Sequence, residues 1–172
     1  MDGILIINKP KNYTSHDVVN IARKALQTQR VGHIGTLDPN ATGVLVLCID
    51  KATKLVKYYE NHSKKYVATI KLGLKTDMDD ITGKVIGEAS TEGITEEQIK
   101  ETLDTFLGKQ KQIPPIYSAV KIKGKKLYEL ARRDFIIPDI EPREVEVFSF
   151  EDFSILERNQ YITFQVTIHV SK

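Results

Sequence analysis

The chain has 172 residues and a formal net charge of +2, with 41% of its residues hydrophobic and 28% charged. This composition is ordinary for one globular domain with a core, and the net charge alone does not indicate a nucleic-acid partner. Its one cysteine and four histidines show no zinc-ligand spacing, and no apolar run approaches membrane-spanning length. We therefore expect a cytoplasmic protein without disulfides, bound metal or membrane segments.

The first elements along the chain are a strand and a helix. Residues 3–8 form a compact apolar run that predicts a strand, and Pro10 ends it because proline has no backbone N–H. Thr14 and Asp17 have capping-box spacing, which predicts the start of a helix. The apolar stripe of this helix is Val18, Val19, Ala22, Ala25 and Leu26.

Residues 31–49 (VGHIGTLDPNATGVLVLCI) join an irregular half to an apolar half. In the irregular half two glycines flank His33, and Asp38-Pro39 is a turn-forming pair. Residues 43–49 predict a buried strand that contains the cysteine. A loop that leads directly into a buried strand is held firmly at a sheet end, where catalytic groups are often displayed. The alternative is that Asp38 only accepts turn hydrogen bonds before proline.

The middle of the chain predicts a short helix at residues 52–59 and an alternating strand at residues 64–72. One face of this strand consists of Tyr66, Ala68, Ile70 and Leu72. A polar loop follows, and then a strand at residues 84–86. The loop contains Asp77, Asp79 and Asp80, but its glycine and glutamate positions do not fit a calcium loop. A solvated loop is the simplest interpretation of these residues.

The clearest helix spans residues 95–107, where Thr95 and Gln98 have capping-box spacing and Gly108 stands just past the end. Its apolar stripe is Ile99, Leu103, Phe106 and Leu107. Strands are predicted at residues 143–150 and 161–170. Strands and helices mix without a regular βαβ rhythm, which favours an α+β domain around a mixed, largely antiparallel sheet.

Residues 121–133 (KIKGKKLYELARR) have six basic side chains and one acidic side chain, for a local charge of +5. The basic residues are Lys121, Lys123, Lys125, Lys126, Arg132 and Arg133. Such a concentration of charge predicts contacts with phosphates, and a solvated surface is the alternative. A short helical pattern covers residues 127–131.

The string GHIGTLDPNATGVL closely resembles the signature of the TruB family of tRNA pseudouridine synthases. Lys9-Pro10 and Thr14-Ser15 are similar to the family's first motif, KPxGxTS, with Asn12 where the family usually has glycine. TDMDDITG resembles its TDxxDxxG pattern. PPIYSAVK and YELAR resemble its inserted RNA-gripping segment, which would lie within residues 113–143, although an aspartate follows YELARR where relatives usually have glycine.

The resemblance implies the pseudouridine synthase fold, with a cleft across the sheet, and isomerisation of the T-loop uridine at position 55 of tRNA. It implies that Asp38 is catalytic, that Tyr66 stacks on the flipped base and that Asp80 lies near the site. His33, between glycines, is expected to contact RNA. The basic segment would bind the T-arm stem-loop of tRNA. No cofactor, metal, membrane or obligate protein partner is implied.

This isomerisation breaks the N-glycosidic bond of uridine, rotates the bound base and forms a carbon–carbon bond to the same ribose. A buried carboxylate suits these steps. It can act as a nucleophile towards the ribose or the base, or it can stabilise positive charge on the sugar. Since no redox step or external group donor is needed, we expect no cofactor.

Three other functions fit parts of the sequence. A non-catalytic RNA-binding or RNA-folding module would use the basic segment but would not need Asp38. The catalytic subunit of a guide-RNA-directed pseudouridylation particle would share the motifs, although ATGVL and the compact N-terminus look more like the stand-alone bacterial type. An aspartate-dependent hydrolase would need a paired carboxylate or a metal to activate water, and the sequence shows neither pattern.

The sequence ends at Ser171-Lys172, whereas relatives continue from a similar Ser-Lys into a GTYIR-like string. The arginine of that string is thought to pair with the catalytic aspartate, and a carboxylate in a dry site needs such a cation to stay charged and oriented. We therefore expect a catalytic domain truncated at its C-terminus, without the family's small C-terminal RNA-binding domain, and with little activity alone.

Overall fold

A computed structural model describes residues 1–59, 61–113, 121–122, 125–126 and 140–171 of the chain. The chain divides into two compact units, Met1–His62 and Ser63–Lys172. Every strand pairing within the described residues is antiparallel, in agreement with the predicted α+β class. None of the helices in these ranges has the length and apolar character needed to cross a membrane.

The first unit is built on a three-stranded sheet. Its strands lie in the order β1 (Gly3–Lys9), β3 (Gly43–Ile49) and β2 (Val31–Ile34). Its helical segments are α1 (Ser15–Leu26), a 3-10 helix (Asp50–Leu55) and α2 (Val56–Tyr59). The predicted strands at 3–8 and 43–49 and the helical structure at 52–59 are confirmed. The strand β2 was not predicted, because its short, glycine-containing sequence becomes a strand only by pairing with β3.

The helix α1 begins where the capping box predicts. The hydroxyl oxygen of Thr14 accepts the backbone N–H of Asp17 at 3.0 Å, and the carboxylate of Asp17 accepts the backbone N–H of Thr14 at 2.8 Å. These two bonds satisfy N–H groups that the first helical turn leaves without partners. The Thr14 hydroxyl also donates to the Asp17 carboxylate at 2.6 Å, and this bond, followed by the bond from the Thr14 N–H, lowers the pKa of the Asp17 carboxyl.

The core of the first unit lies between α1 and the sheet. Its buried members are Val18, Val19, Ala22, Val31, Leu45, Leu47 and Ile49. The predicted helical stripe is therefore correct up to Ala22 but wrong for Ala25 and Leu26, which are exposed because the core ends before the last turn of α1. Cys48 of β3 is fully buried, as predicted, and burial raises the pKa of its thiol.

The second unit contains a four-stranded sheet. The spatial order is β4 (Lys64–Lys71), β11 (Ile162–Val170), β10 (Arg143–Arg158) and β7 (Gly108–Gln112). Two hairpins are formed by β5 (Leu74–Thr76) with β6 (Val85–Glu88) and by β8 (Lys121–Ile122) with β9 (Lys125–Lys126). The helix α3 is Glu96–Asp104. The predicted strands at 64–72, 84–86, 143–150 and 161–170 are confirmed, with bounds shifted by a few residues or, for β10, extended.

The core of the second unit is the inner face of this sheet with one side of α3. The buried residues are Ile99, Ile162, Phe164 and Val166. The alternation predicted for residues 161–170 is thus confirmed, since every second residue of β11 up to Val166 is buried. The ring of Phe153 on β10 lies 5.3 Å from the ring of Phe164 and extends the core across the sheet.

The end of α3 differs from the prediction. The capping box of Thr95 with Gln98 is present, but the helix ends at Asp104. Tight turns follow, and β7 begins at Gly108, where pairing with β10 outweighs the helical pattern. Phe106 and Leu107 are consequently 49% and 44% exposed and do not belong to the apolar stripe.

Gly73 lies where β4 turns into β5, and its surroundings leave no room for a side chain. It has a φ of +87°, and a Cβ there would lie 2.7 Å from the carbonyl oxygen of Ala89 and 2.8 Å from the ring of Tyr161. Gly93 has a similar φ of +78° but open space around it. Comparing alanine substitutions at these two glycines therefore distinguishes the cost of a positive φ from the cost of crowding.

We expect Gly73→Ala to lower the free energy of unfolding by about 2–4 kcal/mol, because it adds a steric clash to the cost of a left-handed backbone. The matched control Gly93→Ala should cost only about 1–2 kcal/mol, since it meets the backbone cost alone. Urea unfolding of both variants measures the difference. Equal losses would show that crowding at Gly73 does not matter.

Candidate active site

Lys9, the last residue of β1, is fully buried and points its ammonium group at backbone oxygens. Its Nζ donates to the carbonyl oxygen of Tyr13 at 2.7 Å, of Pro10 at 3.1 Å and of Pro39 at 3.4 Å. A buried ammonium is stable only when its donors find acceptors, and here three are present. Lys9 therefore joins the turn after β1 to the loop that contains Asp38.

The turn after β1 also contacts this loop directly. The backbone N–H of Asn12 donates to the carbonyl oxygen of Pro39 at 2.7 Å. Asn12 has a φ of +69°, a left-handed conformation that glycine adopts most easily and that asparagine tolerates best after glycine. Asn12 therefore adopts the left-handed turn that the glycine of the family motif would also allow, so the substitution does not change the turn.

On the other side of Asp38 the loop is bound to α1. The Ser15 side chain is buried; its Oγ donates to the carbonyl oxygen of Leu37 at 3.1 Å and accepts the Leu37 N–H at 2.9 Å. The Leu37 side chain packs against the core. The backbone on both sides of Asp38 is therefore fixed by buried polar groups.

The side chain of Asp38 itself is exposed, so the expectation of a buried carboxylate is wrong in this structure. Its backbone oxygen accepts the N–H of Ala41 at 3.0 Å, which closes the turn. Within the described ranges the carboxylate takes part in no hydrogen bond or ion pair. The loop thus presents a carboxylate with open acceptor sites on a backbone that is held in place.

His33 lies in the same unit as Asp38, on β2 opposite Leu47 of β3. It is half-buried, and its Nδ1–H donates to the carbonyl oxygen of Gly35. This bond fixes the ring and leaves Nε2 as the nitrogen that can meet another molecule. His33 and Asp38 therefore both lie in the segment of residues 31–49 in the first unit.

Tyr66 belongs to the second unit, on β4 opposite Ile168 of β11. It lies in the same row as Ala68 and Ile70, whose strand partners are Val166 and Phe164, so the predicted face of β4 is confirmed. Tyr66 is 37% exposed, while the partners of the other two are buried. Tyr66 therefore lies at the end of this face of β4, beyond the buried core, and its ring is partly accessible.

Asp80 is in the loop between β5 and β6, also in the second unit. Its carboxylate accepts the hydroxyl of Thr82 at 2.6 Å and the backbone N–H of Thr82 at 2.7 Å. The hydroxyl bond in particular lowers the pKa of the Asp80 carboxyl. The nearby Asp77 carboxylate accepts the backbone N–H of Lys84 at 2.8 Å. The carboxylates of Asp77 and Asp80 therefore hold the backbone of their own loop.

Within the described part of the chain, no group of three or more histidine, cysteine, aspartate or glutamate side chains is arranged to hold a metal ion. Of the predicted RNA-contacting residues, Lys121 is paired with Lys126 across β8 and β9, and Lys125 is paired with Ile122. Lys123, Arg132 and Arg133 lie outside the described residues, as does the predicted helix at 127–131.

Sequence reasoning missed the part played by Lys9. The lysine was noted only as part of a motif, because its burial depends on carbonyl groups from two separate turns that no local pattern reveals. One signal was available: a lysine before proline at the end of an apolar strand has to place its charge at a sheet end. Ser15 was likewise noted only as a motif residue.

Comparisons with known proteins agree on one family. A family model described as TruB family pseudouridylate synthase (N terminal domain) matches residues 23–172. Proteins called tRNA pseudouridine synthase B share 48% identity over 157 residues in Alkaliphilus oremlandii, 44% over 173 residues in Oceanobacillus iheyensis and 44% over 166 residues in Thermotoga maritima. These alignments cover 91%, 100% and 96% of this chain but 52%, 56% and 52% of the relatives. The chain spans about half the length of these curated relatives.

Solved structures show a similar fold. A crystal structure of a Cbf5–Nop10–Gar1 complex matches with a TM-score of 0.63 and 27% identity, over 97% of this chain and 39% of the other. A structure of an H/ACA RNP bound to a substrate RNA containing 2′-deoxyuridine matches with a TM-score of 0.60 and 24% identity, over 99% and 38%. The second likeness concerns the fold alone.

We expect Lys9→Met to lower the free energy of unfolding by about 2–3 kcal/mol, because it removes the shared donor of three hydrogen bonds to the carbonyl oxygens of Pro10, Tyr13 and Pro39. The same change should release the loop around Pro39, so the amide hydrogen of Asn12 should exchange faster with solvent. Urea unfolding and hydrogen exchange measure the two effects. Lys11→Met, at an exposed position two residues along the chain, is the control. Unchanged protection of Asn12 would contradict this account of the loop.

We expect Thr82→Val to raise the pKa of Asp80 towards its ordinary value, because the variant removes the hydroxyl that stabilises the charged carboxylate. A depressed carboxyl pKa adds stability above the unfolded pKa and loses it as the pH falls through the folded pKa. The stability of Thr82→Val should therefore depend less on pH in the acid range.

Carboxyl NMR titration measures the shift of Asp80. In the same loop Thr76 donates to the backbone oxygen of Asp80 at 2.9 Å, not to the carboxylate. Thr76→Val is therefore the matched control and should leave the pKa close to that of the parent protein. A similar shift in both variants would show that loop geometry, not the hydroxyl bond, sets the pKa.

Proposed function

The chain belongs to the TruB family of pseudouridylate synthases, and on that premise we propose that it isomerises a uridine in the T loop of tRNA to pseudouridine, with Asp38 as the catalytic carboxylate. The relatives' names support a tRNA substrate. Because the chain spans about half of each relative, its own activity is part of the proposal.

The observation that favours this role is the contrast between the fixed loop and the open carboxylate. Lys9 binds the backbone at Pro39 and Ser15 binds the backbone at Leu37. Asp38 lies between them and is exposed. A group that acts on a substrate gains most when its backbone is held by other residues and its own acceptors are left for the substrate.

The carboxylate of Asp38 has two chemical roles open to it. As a nucleophile it would form a bond to the ribose or to the base, and that bond would break again when the base is reattached through carbon. As a fixed negative charge it would stabilise positive charge on the ribose while the base rotates. Both routes return the carboxylate unchanged and rearrange one nucleotide, so neither consumes a cofactor.

The remaining predicted residues have supporting roles in this proposal. Tyr66 offers a partly exposed ring on which the flipped uracil can stack. His33 presents Nε2 to RNA, and the basic residues within 113–143 bind the phosphates of the T-arm. Asp80 would take part through the loop that it organises. A tRNA substrate places the reaction in the cytoplasm, and the proposal requires no protein partner.

A guide-RNA-directed particle is the alternative suggested by the solved structures, since the Cbf5 structure includes Nop10 and Gar1. That likeness is at 27% identity, whereas the tRNA-enzyme relatives reach 44–48%. The sequence comparison therefore favours the stand-alone tRNA enzyme.

We expect Asp38→Asn to abolish pseudouridine formation while leaving folding intact and RNA affinity within a few fold, since it removes a charge but little volume. The protein is incubated with unmodified tRNA transcript, and pseudouridine is mapped site by site. The tRNA pseudouridine synthase B of Thermotoga maritima serves as the positive control for the substrate. Asp104→Asn, which makes the same change at the exposed last residue of α3, should match the parent protein. Turnover in Asp38→Asn, or no product with the parent protein, would overturn the proposal.

A further inference from the structure

The 3-10 helix and α2 of the first unit have one face against the sheet and one face in solvent. A Cβ on Gly32 of β2 would lie 3.5 Å from Val56 and 3.8 Å from Thr53, so these two side chains rest on β2. Lys57 and Tyr58 follow Val56 and are exposed, with Tyr58 at 64%. Since Val56 faces the strand, the next two residues of a helix point away from it.

Tyr58 is unusual among the described aromatic residues in having a cation over its ring while remaining largely in solvent. The Nζ of Lys57 lies 4.8 Å from the ring centroid. With the ammonium on one face and 64% of the residue exposed, the other face and the ring edge make up much of the accessible area. Because the exposed Tyr58 ring contributes little to the core, packing does not explain its position.

The charge around Tyr58 favours a negatively charged ligand. Residues 51–62 contain three lysines and one histidine against one glutamate. An exposed aromatic ring beside a cation is the arrangement that binds unpaired nucleotides, because the base stacks on the ring and the phosphate meets the ammonium. Leu55 and Tyr59 are also exposed beside Tyr58, at 38% and 41%, so it is the surplus of lysines that favours an anionic partner here.

The helix α2 rests on β2, the strand that also contains His33. β2 is an edge strand, and Gly32, on which α2 rests, directly precedes His33. Successive residues of a strand face opposite sides of its sheet, and both sides adjoin the free edge of β2. A nucleic-acid strand passing the edge at His33 can therefore reach Tyr58 without crossing the core of the unit.

We propose that Lys57 and Tyr58 form a second RNA-binding surface, at which an unpaired nucleotide of the substrate stacks on the Tyr58 ring and its phosphate pairs with Lys57. The inference rests on the proposed function, because it assumes an RNA substrate. It adds a contact outside the basic segment within 113–143. Its consequence is a preference for RNA with an unpaired loop over fully paired RNA.

The absence of tryptophan from the sequence allows a direct test of stacking. Tyr58→Trp creates a single tryptophan whose emission falls when a base stacks on it. Phe106→Trp places the single tryptophan at another exposed aromatic position, 49% exposed and in the second unit, and is the matched control. Both variants are titrated with a T-arm stem-loop RNA and with a blunt duplex RNA of equal length, while fluorescence anisotropy of labelled RNA reports binding.

We expect the stem-loop to quench Tyr58→Trp at saturation, and the duplex to bind without quenching it; Phe106→Trp should not respond to either RNA. Tyr58→Ala should weaken stem-loop binding about fivefold, and Tyr58→Phe should not. Lys57→Gln should reduce the salt dependence of binding by about one counterion, whereas Lys24→Gln on α1 should not.

The remaining outcomes separate this inference from the proposed function. Stem-loop binding without quenching of Tyr58→Trp would overturn it and leave the proposed function intact. Equal quenching by the duplex would show that no unpaired base is involved. Quenching by the stem-loop together with no pseudouridine formation would support this surface and overturn the proposed function. No RNA binding by anisotropy would overturn both.

Discussion

The geometry around Asp38 depends on one buried charge, the ammonium group of Lys9. Removing a charge from water is costly, and the cost is offset here by three carbonyl oxygens that belong to two different turns. Lysine suits this arrangement because its compact ammonium has three donors that can point in different directions. Lys9 is also opposite Gly43 in the pairing of β1 with β3. A shift of that pairing by one residue would turn the side chain to the other face of the sheet, so the loop geometry and the strand register require each other.

The two aspartates singled out by the motifs are in opposite electrostatic situations. Asp80 is engaged by the hydroxyl and the N–H of Thr82, so its charge is already balanced by its own loop. Asp38 has its backbone fixed and its carboxylate exposed. A carboxylate whose donors are supplied by its own loop stabilises a conformation, whereas one that lacks them is available to a ligand. The two carboxylates therefore differ in their contacts, although both aspartates were identified from the same resemblance.

Much of the fold could be predicted because its signals are local. Both long helices begin at capping boxes, Thr14 with Asp17 and Thr95 with Gln98, and the alternation of β11 sets the second core. The short strands β2, β5 and β7 could not be predicted, since each is a strand only through its partner. For the site, the resemblance supplied Asp38, but the burial of Lys9 and the exposure of Asp38 are properties of distant segments in contact. No pattern along the sequence contains them.

The buried thiol of Cys48 makes the first unit separately observable. It is the single cysteine of the chain, lies in the central strand of the first unit and is fully buried, with its pKa raised by that burial. Because only the thiolate reacts with alkylating reagents, and only when water reaches it, the sulfur is inert in the closed unit. Any alkylated molecule has therefore opened its three-stranded sheet. The rate of alkylation under native conditions therefore reports how often the first unit opens, independently of the second unit. Bound RNA that stabilises the first unit would lower this rate.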